Sequence, residues 1–336
     1  MYKKAAARLF FAFLLMALMG TSVHFSRAQD GGDGLSPQEQ EALREIVAAY
    51  DRTRNWNTYS AQSGENSQLA LSLAVGDADP YTLNDNTRRD VDSVYDVPNS
   101  AVQSQLGQTR TIRENEGRQT INNVTVQADF DIVGINGIVY VQGDRKANPD
   151  DGQNIELEDY TPVNAPLASD LASAEVANLQ SHVDAKELIA LRATDELLET
   201  ATKVEDLGQV KLRQYPNAVQ VYAITVDPLV GIDVLNIDVE SIIANPRLDI
   251  LDQAVFFDRL ATDSSLTITV FLDAENGGLV GEQLALGVDI QLDETAGLNV
   301  ARGTQASFTL ALSFESSVLY FAINEDVTIN DPSTTQ

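Results

Sequence analysis

Few residues in this sequence could carry catalytic chemistry, because the chain contains two histidines and no cysteine. The absence of cysteine excludes a thiol nucleophile, a disulfide framework and a cysteine-ligated metal cluster. His182 is the one histidine outside the apolar N-terminal segment, and no G-x-S-x-G sequence supplies a serine nucleophile for it. We therefore interpret His182 as an exposed residue of a polar helix and expect no Ser-His-Asp hydrolase.

Pairs of carboxylates are the second candidate, since 50 of the 336 residues are Asp or Glu. Asp129 and Asp131 alternate with the apolar residues of one strand, which is typical of the solvated face of a sheet. Glu156 and Glu158 would hydrolyse a glycosidic bond only if two carboxylates faced each other across a cleft of about 5–10 Å. An acid-pair hydrolase is therefore the least favoured hypothesis, and we predict no catalytic residue.

The acidic loop around Gly152 needs a separate test for calcium. If Gly152 is aligned with the invariant glycine of an EF-hand, Ala147 and Pro149 fall at the first two ligand positions, so this pattern fails. A calcium site of another type and a plain solvated loop both stay open there. The sequence contains neither a G-x-G-x-x-G motif nor a P-loop. We predict no cofactor and assign no metal ligand.

The charge of the chain argues against nucleic acid as a partner. The formal net charge is −28, whereas a protein that binds nucleic acid needs a basic surface for the phosphates. Apolar residues make up 43% of the chain, which is enough for a hydrophobic core. The sequence therefore predicts a globular protein that does not bind nucleic acid.

The N-terminus has the pattern of an export signal. Basic residues precede an apolar run from Leu9 to Met19, and small residues precede a cleavage site after Ala28. This run has about half of the ~20 residues that a membrane-spanning helix needs, although a retained short anchor is the alternative. Without cysteine, a lipoprotein anchor is excluded. We expect residues 1–28 to be removed and the protein to be exported, periplasmic or extracellular, and not lipid-anchored.

A flexible Gly/Asp-rich spacer over residues 29–35 precedes the first predicted helix. Ser36 has the position of an N-cap, Pro37 follows it, and Glu39 stands three residues after the cap, which together form a capping-box pattern. We expect this helix to end near Asn55. Its apolar stripe, which must pack on another element, consists of Leu43, Ile46, Val47 and Tyr50.

Beyond this helix, apolar and polar residues alternate with a period of two, which predicts half-buried β-strands. Short turns such as 134–137 and 276–278 separate some of them, and short connections favour antiparallel pairing. The predicted strands are Leu69 to Val75, Val124 to Ile132, Ile138 to Val141, Val219 to Val226, Leu266 to Leu272, Leu284 to Leu292, Phe308 to Phe314, Val318 to Ile323 and Val327 to Ile329.

Helical spacing of apolar residues returns over residues 168–204 and 238–261, so helices are predicted in both ranges. Residues 77–117 and 143–166 are polar and rich in Pro, Asp and Asn. This composition predicts two long loops. The sequence thus predicts one α+β domain over residues 36–332.

Four segments resemble the LolA-like superfamily, and in particular its LppX/LprG-type lipid-binding branch. They are RTRNWNTYSAQ, QADFDIVGINGIVYVQGD, GQVKLRQYPNAVQVYAITVD and LSFESSVLYFAINEDVTINDP. The last is the most specific, because an aromatic strand, Asn324, a Val-Thr-Ile segment and Pro332 resemble the closing pattern of that branch. The chain departs from the family in lacking its acylated cysteine and in having longer loops.

The resemblance implies a strongly curved antiparallel sheet, a half-barrel, with helices covering its concave face. It also implies a carrier that shields acyl chains from water in an apolar cavity. At about 0.8 kcal/mol per buried CH2, a dozen methylenes would contribute on the order of 10 kcal/mol, which is enough to hold a lipid without covalent chemistry.

We therefore expect a non-enzymatic carrier or binder of lipid or of acylated molecules, in transient contact with a membrane or a membrane-bound acceptor. The alternative is a structural or adhesive acidic surface protein, a filled β-sandwich whose negative charge keeps it soluble or binds divalent ions such as calcium. A one-residue error in strand register would turn a candidate ligand residue to the other face. The candidates for the concave face are Leu71, Leu73, Phe130, Ile132, Tyr140, Ile268, Val270, Val288, Phe308 and Leu310.

Overall fold

The computed structural model describes residues 34–150, 152, 154–162, 195–213, 215–235, 237 and 239–334. The predicted signal peptide, His182 and most of the predicted helical range 168–204 lie outside these residues. Within the described ranges, the helices are too short or too polar to cross a membrane.

The first helix, α1 (Pro37–Thr53), begins where the capping-box pattern predicts. The Ser36 hydroxyl accepts a hydrogen bond from the Glu39 backbone N–H at 3.3 Å, and the Glu39 carboxylate accepts one from the Ser36 N–H at 2.9 Å. These two bonds satisfy N–H groups that have no partner within the first turn of a helix. The apolar stripe of α1 is buried at Ile46 and Tyr50.

Within the described residues, eleven strands form one open sheet in which all neighbours are antiparallel. Their spatial order is β6-β5-β4-β3-β2-β1-β11-β10-β9-β8-β7, so β6 and β7 are the edges. Two meanders, β1–β6 and β7–β11, meet where β1 pairs with β11. The strands are β1 (Thr58–Val75), β2 (Tyr81–Asp96), β3 (Ala101–Glu116), β4 (Gln119–Ile135), β5 (Ile138–Asn148), β6 (Ile155–Pro162), β7 (Lys203–Val210), β8 (Val219–Val226), β9 (Ser264–Asp273), β10 (Leu279–Asp293) and β11 (Ala306–Phe321).

The remaining described helices are short. They are α2 (Asp195–Glu199), α3 (Pro228–Val234), α4 (Val239–Ile243) and α5 (Gln253–Thr262), with a 3₁₀ turn at Pro246–Leu248. The last three elements confirm the helical pattern over 238–261. The sequence pattern missed α3, because seven residues are too few to establish a helical period. Its start has local signals, since the Asp227 side chain accepts a hydrogen bond from the Leu229 N–H at 2.8 Å.

The prediction of a long loop over 77–117 is wrong, because this range forms the β2–β3 hairpin. The loop prediction over 143–166 is wrong in part, since β5 continues to Asn148 and β6 covers Ile155–Pro162. The two strands predicted between Phe308 and Ile323 are the single strand β11, and Val327 to Ile329 is irregular chain rather than a strand.

The helices contact one face of the sheet, which we call the helix-bearing face. On α1, Tyr50 bonds to Glu282 of β10. Gly231 of α3 lies so close to Leu266 of β9 that an added Cβ would meet its Cδ2 at 2.0 Å. On α5, the ring of Phe256 packs edge-on against Phe308 of β11, with the centroids 6.3 Å apart.

Strand register shows which side chains share this face. Residues directly opposite each other in an antiparallel pair point to the same side. One row across eight strands consists of Ile224, Ile268, Leu284, Ser316, Glu65, Arg89, Gln108 and Ala128, and on β5 it continues to Arg145. The row changes from apolar to polar at β11. On β8 to β10 the apolar face residues alternate with polar ones and so revealed the strands, whereas on β2 and β3 many face residues are themselves polar and gave no such pattern.

Gly143 provides a test of how β4 and β5 approach each other. Gly143 has φ +134°, and an added Cβ would meet the Asp129 carbonyl oxygen at 2.1 Å. We expect Gly143→Ala to lower the free energy of unfolding by about 3 kcal/mol or more, through strain and backbone collision. Gly137→Ala is the control: φ is +74° but no atom lies within 4 Å, so about 1 kcal/mol is expected. Equal losses of unfolding free energy in the two variants, measured by chemical denaturation, would contradict the close approach of β4 and β5.

Candidate functional site

The ten predicted ligand residues are all buried, with exposed fractions of 8% or less. Nine of them share the helix-bearing face through the register of β1, β4, β9, β10 and β11. They are Leu71, Leu73, Phe130, Ile132, Ile268, Val270, Val288, Phe308 and Leu310. Their role in binding a ligand stays a prediction.

Tyr140 is the exception, and its predicted place on the shared face is wrong. It pairs with Val133 on the opposite face, whereas Val139 and Val141 pair with Gly134 and Ile132. The error is one residue of register on β5, which reverses the direction of every side chain. Val139 and Val141 therefore occupy the positions that Tyr140 was expected to hold.

The nine face residues form two groups rather than one. Leu71 pairs with Leu310, and Leu73 pairs with Phe308, so the first group lies where β1 meets β11, and Val288 on β10 is close to it. Ile268 and Val270 continue this group on β9. Phe130 and Ile132 lie on β4, three strands from β1. Both groups belong to one contiguous buried cluster.

Charged and neutral polar side chains separate the two groups, and the sequence pattern did not predict them. We call them the polar belt: Glu65 and Ser67 on β1, Asp85, Thr87 and Arg89 on β2, and Gln108 and Arg110 on β3. These residues occupy every second position of their strands, which is the one feature of the sequence that could have revealed them. In a segment that is polar throughout, however, such spacing does not distinguish a strand from a loop.

Two ion pairs organise the polar belt. The Arg110 guanidinium donates through Nε to Asp85 Oδ1 at 3.1 Å and through Nη2 to Oδ2 at 2.6 Å, a fork geometry that raises the pKa of Arg110. Arg89 Nη1 lies 3.4 Å from Glu65 Oε2, and both side chains are about four-fifths buried, at 20% and 18% exposed. Burial lowers the pKa of Arg89 from its usual value. Pairing offsets part of the cost of placing these charges on a half-apolar face.

Two tyrosine–glutamate bonds attach α1 to the sheet. Tyr50 Oη donates to Glu282 Oε2 at 2.5 Å, and Glu282 is 1% exposed. Tyr222 Oη on β8 donates to Glu45 Oε2 at 3.0 Å. Burial, with a smaller contribution from Glu282, raises the pKa of Tyr50, and burial with the Glu45 bond raises the pKa of Tyr222 to about 12. The helix is therefore fixed to β8 and β10 by polar as well as apolar contacts.

An aromatic cluster lies at the end of the face where α1 leads into β1. The rings of Tyr59 and Tyr95 stack with centroids 4.4 Å apart, and Trp56 lies 5.4 Å from Tyr59 and 5.3 Å from Tyr320. Among the described residues, the buried Tyr59 hydroxyl has no hydrogen-bond partner. Nearby, the buried hydroxyls of Ser93 and Ser104 are 2.8 Å apart.

Two pockets lie away from the predicted cavity. One, of about 430 Å³, runs along α1 beside Leu43 and Val47. The other, of about 490 Å³, lies mainly on the opposite face of the sheet, and its polar lining includes Asn84 and Asn86. Of the ten predicted ligand residues, Val288 alone contributes to either pocket. The enclosed apolar cavity stays a prediction.

The acidic pair on β4 lies away from the helix-bearing face. Asp129 and Asp131 project from the face opposite the helices, since they alternate with Phe130 and Ile132. No group of three or more His, Asp or Glu side chains within the described residues has the arrangement of a metal site.

No protein-family model and no curated protein matches this sequence. Among solved structures, the Mycobacterium tuberculosis lipoprotein LppX is similar over 87% of this chain and 99% of its own, with 10% identity and a TM-score of 0.32. The translocator domain of autotransporter NalP from Neisseria meningitidis matches 84% of this chain and 96% of its own, with 9% identity and a TM-score of 0.14. Both scores are low, so the fold is described from its own strand pairing.

Removing the Tyr50 hydroxyl tests the attachment of α1. We expect Tyr50→Phe to lower the free energy of unfolding by about 2–4 kcal/mol, because the buried Glu282 carboxylate loses a donor. Tyr222→Phe is the matched control, and since Glu45 is exposed, the expected loss is about 1 kcal/mol or less. A Tyr50→Phe loss no larger than the control in urea denaturation would contradict this account.

Buried tyrosines also predict loss of stability in alkali. The folded pKa of Tyr222 is raised to about 12, above the unfolded value of about 10. Its contribution is therefore complete below pH 10 and is lost as the pH rises through 12. The raised pKa values of Tyr50 and Tyr59 act in the same direction. Urea denaturation between pH 9 and 12 should show that the free energy of unfolding falls as the pH rises, and that it falls less steeply in Tyr222→Phe. An equal dependence on pH in the two proteins would contradict the assignment to Tyr222.

Proposed function

We propose that this protein is an exported carrier or binder of lipid or acyl chains, which it holds non-covalently and without catalysis against the helix-bearing face. The observation that carries the proposal is the size of this face relative to the described helices. The N-terminal export pattern supports the proposed location outside the cytoplasm.

The area of one face of the sheet can be compared with the area that the described helices cover. With about 4.8 Å between strands and about 3.3 Å per residue, the sheet presents on the order of 2,000 Å² on each face. The described helices, at about 1.5 Å per residue and about 10 Å width, cover on the order of 700 Å². The sheet face is thus roughly three times larger than the area that the described helices can cover.

Burial on β3 and β4 supports curvature of the sheet. Leu106, Phe130 and Ile132 on the helix-bearing face are each 2% exposed or less, while the described helices pack most extensively on β7, β9 and β10. A sheet that bends around this face brings its own apolar side chains together, as in a half-barrel. An acyl chain lying within that curve would be shielded from water and would gain the free energy of its own burial.

The short helices support a route for ligand entry. Helices α2, α3 and α4 have five to seven residues, and segments of this length depend on packing rather than on their own stability. Such elements open locally at lower free energy than a core strand does. Their displacement would expose the face without disrupting the sheet.

The alternative, an adhesive surface protein, would use exposed edge strands. Both edges are eight residues long and interrupted by a register shift, and both carry charges, including Glu156 and Glu158 on β6 and Lys203 and Glu205 on β7. Short, charged and bulged edges oppose pairing with another sheet. The edges therefore favour the carrier over the adhesive protein.

Lipid extraction and a matched pair of variants test the proposal. We expect the purified protein to release lipid detected by mass spectrometry and, once delipidated, to bind a fluorescent fatty acid. Phe314→Ala on the helix-bearing face should weaken binding about tenfold or more, because a half-buried ring of the face is lost. Phe321→Ala removes the same ring from the opposite face of β11, where it is exposed, and should leave the affinity unchanged.

Absence of both co-purified lipid and fatty-acid binding would contradict the proposal. Equal effects of the two variants, with unchanged melting temperatures, would contradict the choice of face.

A further inference from the structure

A groove of about 490 Å³ lies mainly on the face of the sheet opposite the helices. We call it the outer groove. Strand register places five of its lining residues in one row across β9, β10, β11, β1 and β2. This row, which we call the polar row, consists of Ser265, Gly287, Ser313, Gln68 and Asn86. A ligand of the outer groove would therefore be additional to the ligand proposed for the helix-bearing face.

The floor of the outer groove consists of small residues. The row beside the polar row runs from Asp289 through Ala311 and Ala70 to Asn84. Together with Gly287, the two alanines give the middle of the groove side chains no larger than a methyl group. Adjacent strands are about 4.8 Å apart, so a row across five strands extends about 19 Å. The outer groove therefore runs across the strands rather than along them.

Three side chains of the polar row have no hydrogen-bond partner within the part of the chain that the structure describes. Gln68 lies directly opposite both Ser313 and Asn86, yet these side chains do not bond to one another. Elsewhere on the same face neighbours do bond, as where Gln62 Nε2 donates to Asp92 Oδ1 at 2.9 Å. Amides and hydroxyls both donate and accept hydrogen bonds. The polar row can therefore bind a ligand with closely spaced donors and acceptors.

The charge of the outer groove opposes an anionic ligand. Its described lining contains no lysine or arginine and includes two carboxylates, those of Asp263 and Asp289. Asp263 is paired with Arg259 at 3.5 Å, whereas Asp289 is exposed and accepts a hydrogen bond from Gln291 Nε2 at 3.5 Å. In a chain with a net charge of −28, this lining repels phosphate and carboxylate groups.

The lining of the outer groove also differs from that of a protein interface. Over the described ranges, no aromatic residue and no arginine contributes to it, whereas the dominant contacts of protein interfaces are enriched in Trp, Tyr and Arg. A neutral ligand with many hydroxyl groups and small apolar surfaces matches this lining. Sugar rings have this combination, because hydroxyl groups surround a ring whose faces carry C–H groups.

We propose that the outer groove binds a neutral oligosaccharide in an extended conformation. The amides of Gln68, Asn84 and Asn86 exchange hydrogen bonds with sugar hydroxyls. Asp289 accepts a charge-assisted hydrogen bond from another hydroxyl. The C–H groups of the rings lie on the floor around Ala70. Consecutive units of an extended β-1,4-linked chain advance by about the spacing between two strands, so successive rings meet successive strands.

A glycan array tests the class of ligand. The labelled full chain is applied to neutral tetrasaccharides that differ in sugar and linkage, including cellotetraose and maltotetraose, with tetragalacturonate as the anionic counterpart. We expect at least one neutral β-linked tetrasaccharide to bind, with an affinity in calorimetry about tenfold or more above that of tetragalacturonate. Binding to none of the neutral sugars, or a preference for the anionic one, would overturn the proposal.

Matched variants assign this binding to the outer groove. Gln68→Ala should weaken the affinity for the selected tetrasaccharide about fivefold or more, because an amide of the polar row is lost. Gln105→Ala removes an exposed amide of β3 on the same face, outside the groove, and should leave the affinity unchanged. Ala70→Tyr fills the floor without removing a hydrogen bond and should abolish binding, whereas Gln105→Tyr should not.

Equal losses in Gln68→Ala and Gln105→Ala, or unchanged binding by Ala70→Tyr, would overturn the assignment to the outer groove. Melting temperatures show whether each variant is folded, and Asn86→Ala repeats the test on β2 if Gln68→Ala melts early. Fatty-acid binding should be the same in all of these variants, because the groove lies mainly on the opposite face. Its absence from the native chain would overturn the proposed function and leave the oligosaccharide proposal standing.

Discussion

The pairing of β1 with β11 holds the two halves of the sheet together. It runs from Ser60 opposite Phe321 to Val75 opposite Ala306 and joins strands from the two ends of the described chain. Without it, the meanders β1–β6 and β7–β11 would be separate sheets with two additional edges. Its register also decides which side chains of both halves share one face, since a slip of one residue would turn every side chain of one half away.

This register produces a face with an apolar part and a part that carries paired charges. On β8 to β10 the face is apolar and helices pack on it, and on β1 to β3 it holds paired charges. Glu65 with Arg89, and Asp85 with Arg110, keep these charges compensated. The face is therefore apolar along one part and carries paired charges in another, and the apolar part connects the fold to the proposed function.

The sequence predicted elements where a local signal was strong. The Ser36–Glu39 capping box determined the start of α1, and alternating apolar residues identified β8, β9 and β10. The β2–β3 hairpin was missed because its face positions include Asp85, Arg89 and Arg110, whose burial depends on partners in neighbouring strands. Tyr140 was placed on the wrong face because alternation within one strand does not fix its register. The polar belt is a tertiary feature, and the pairing of its charges cannot be read from separate strands.

Anomalous scattering from a crystal of the protein grown with a terminally brominated fatty acid would locate a bound acyl chain. We expect a bromine peak on the helix-bearing face, in contact with side chains such as Phe314 and Leu310. Bromine peaks only in the surface pockets, together with an interior filled throughout by side chains, would contradict it.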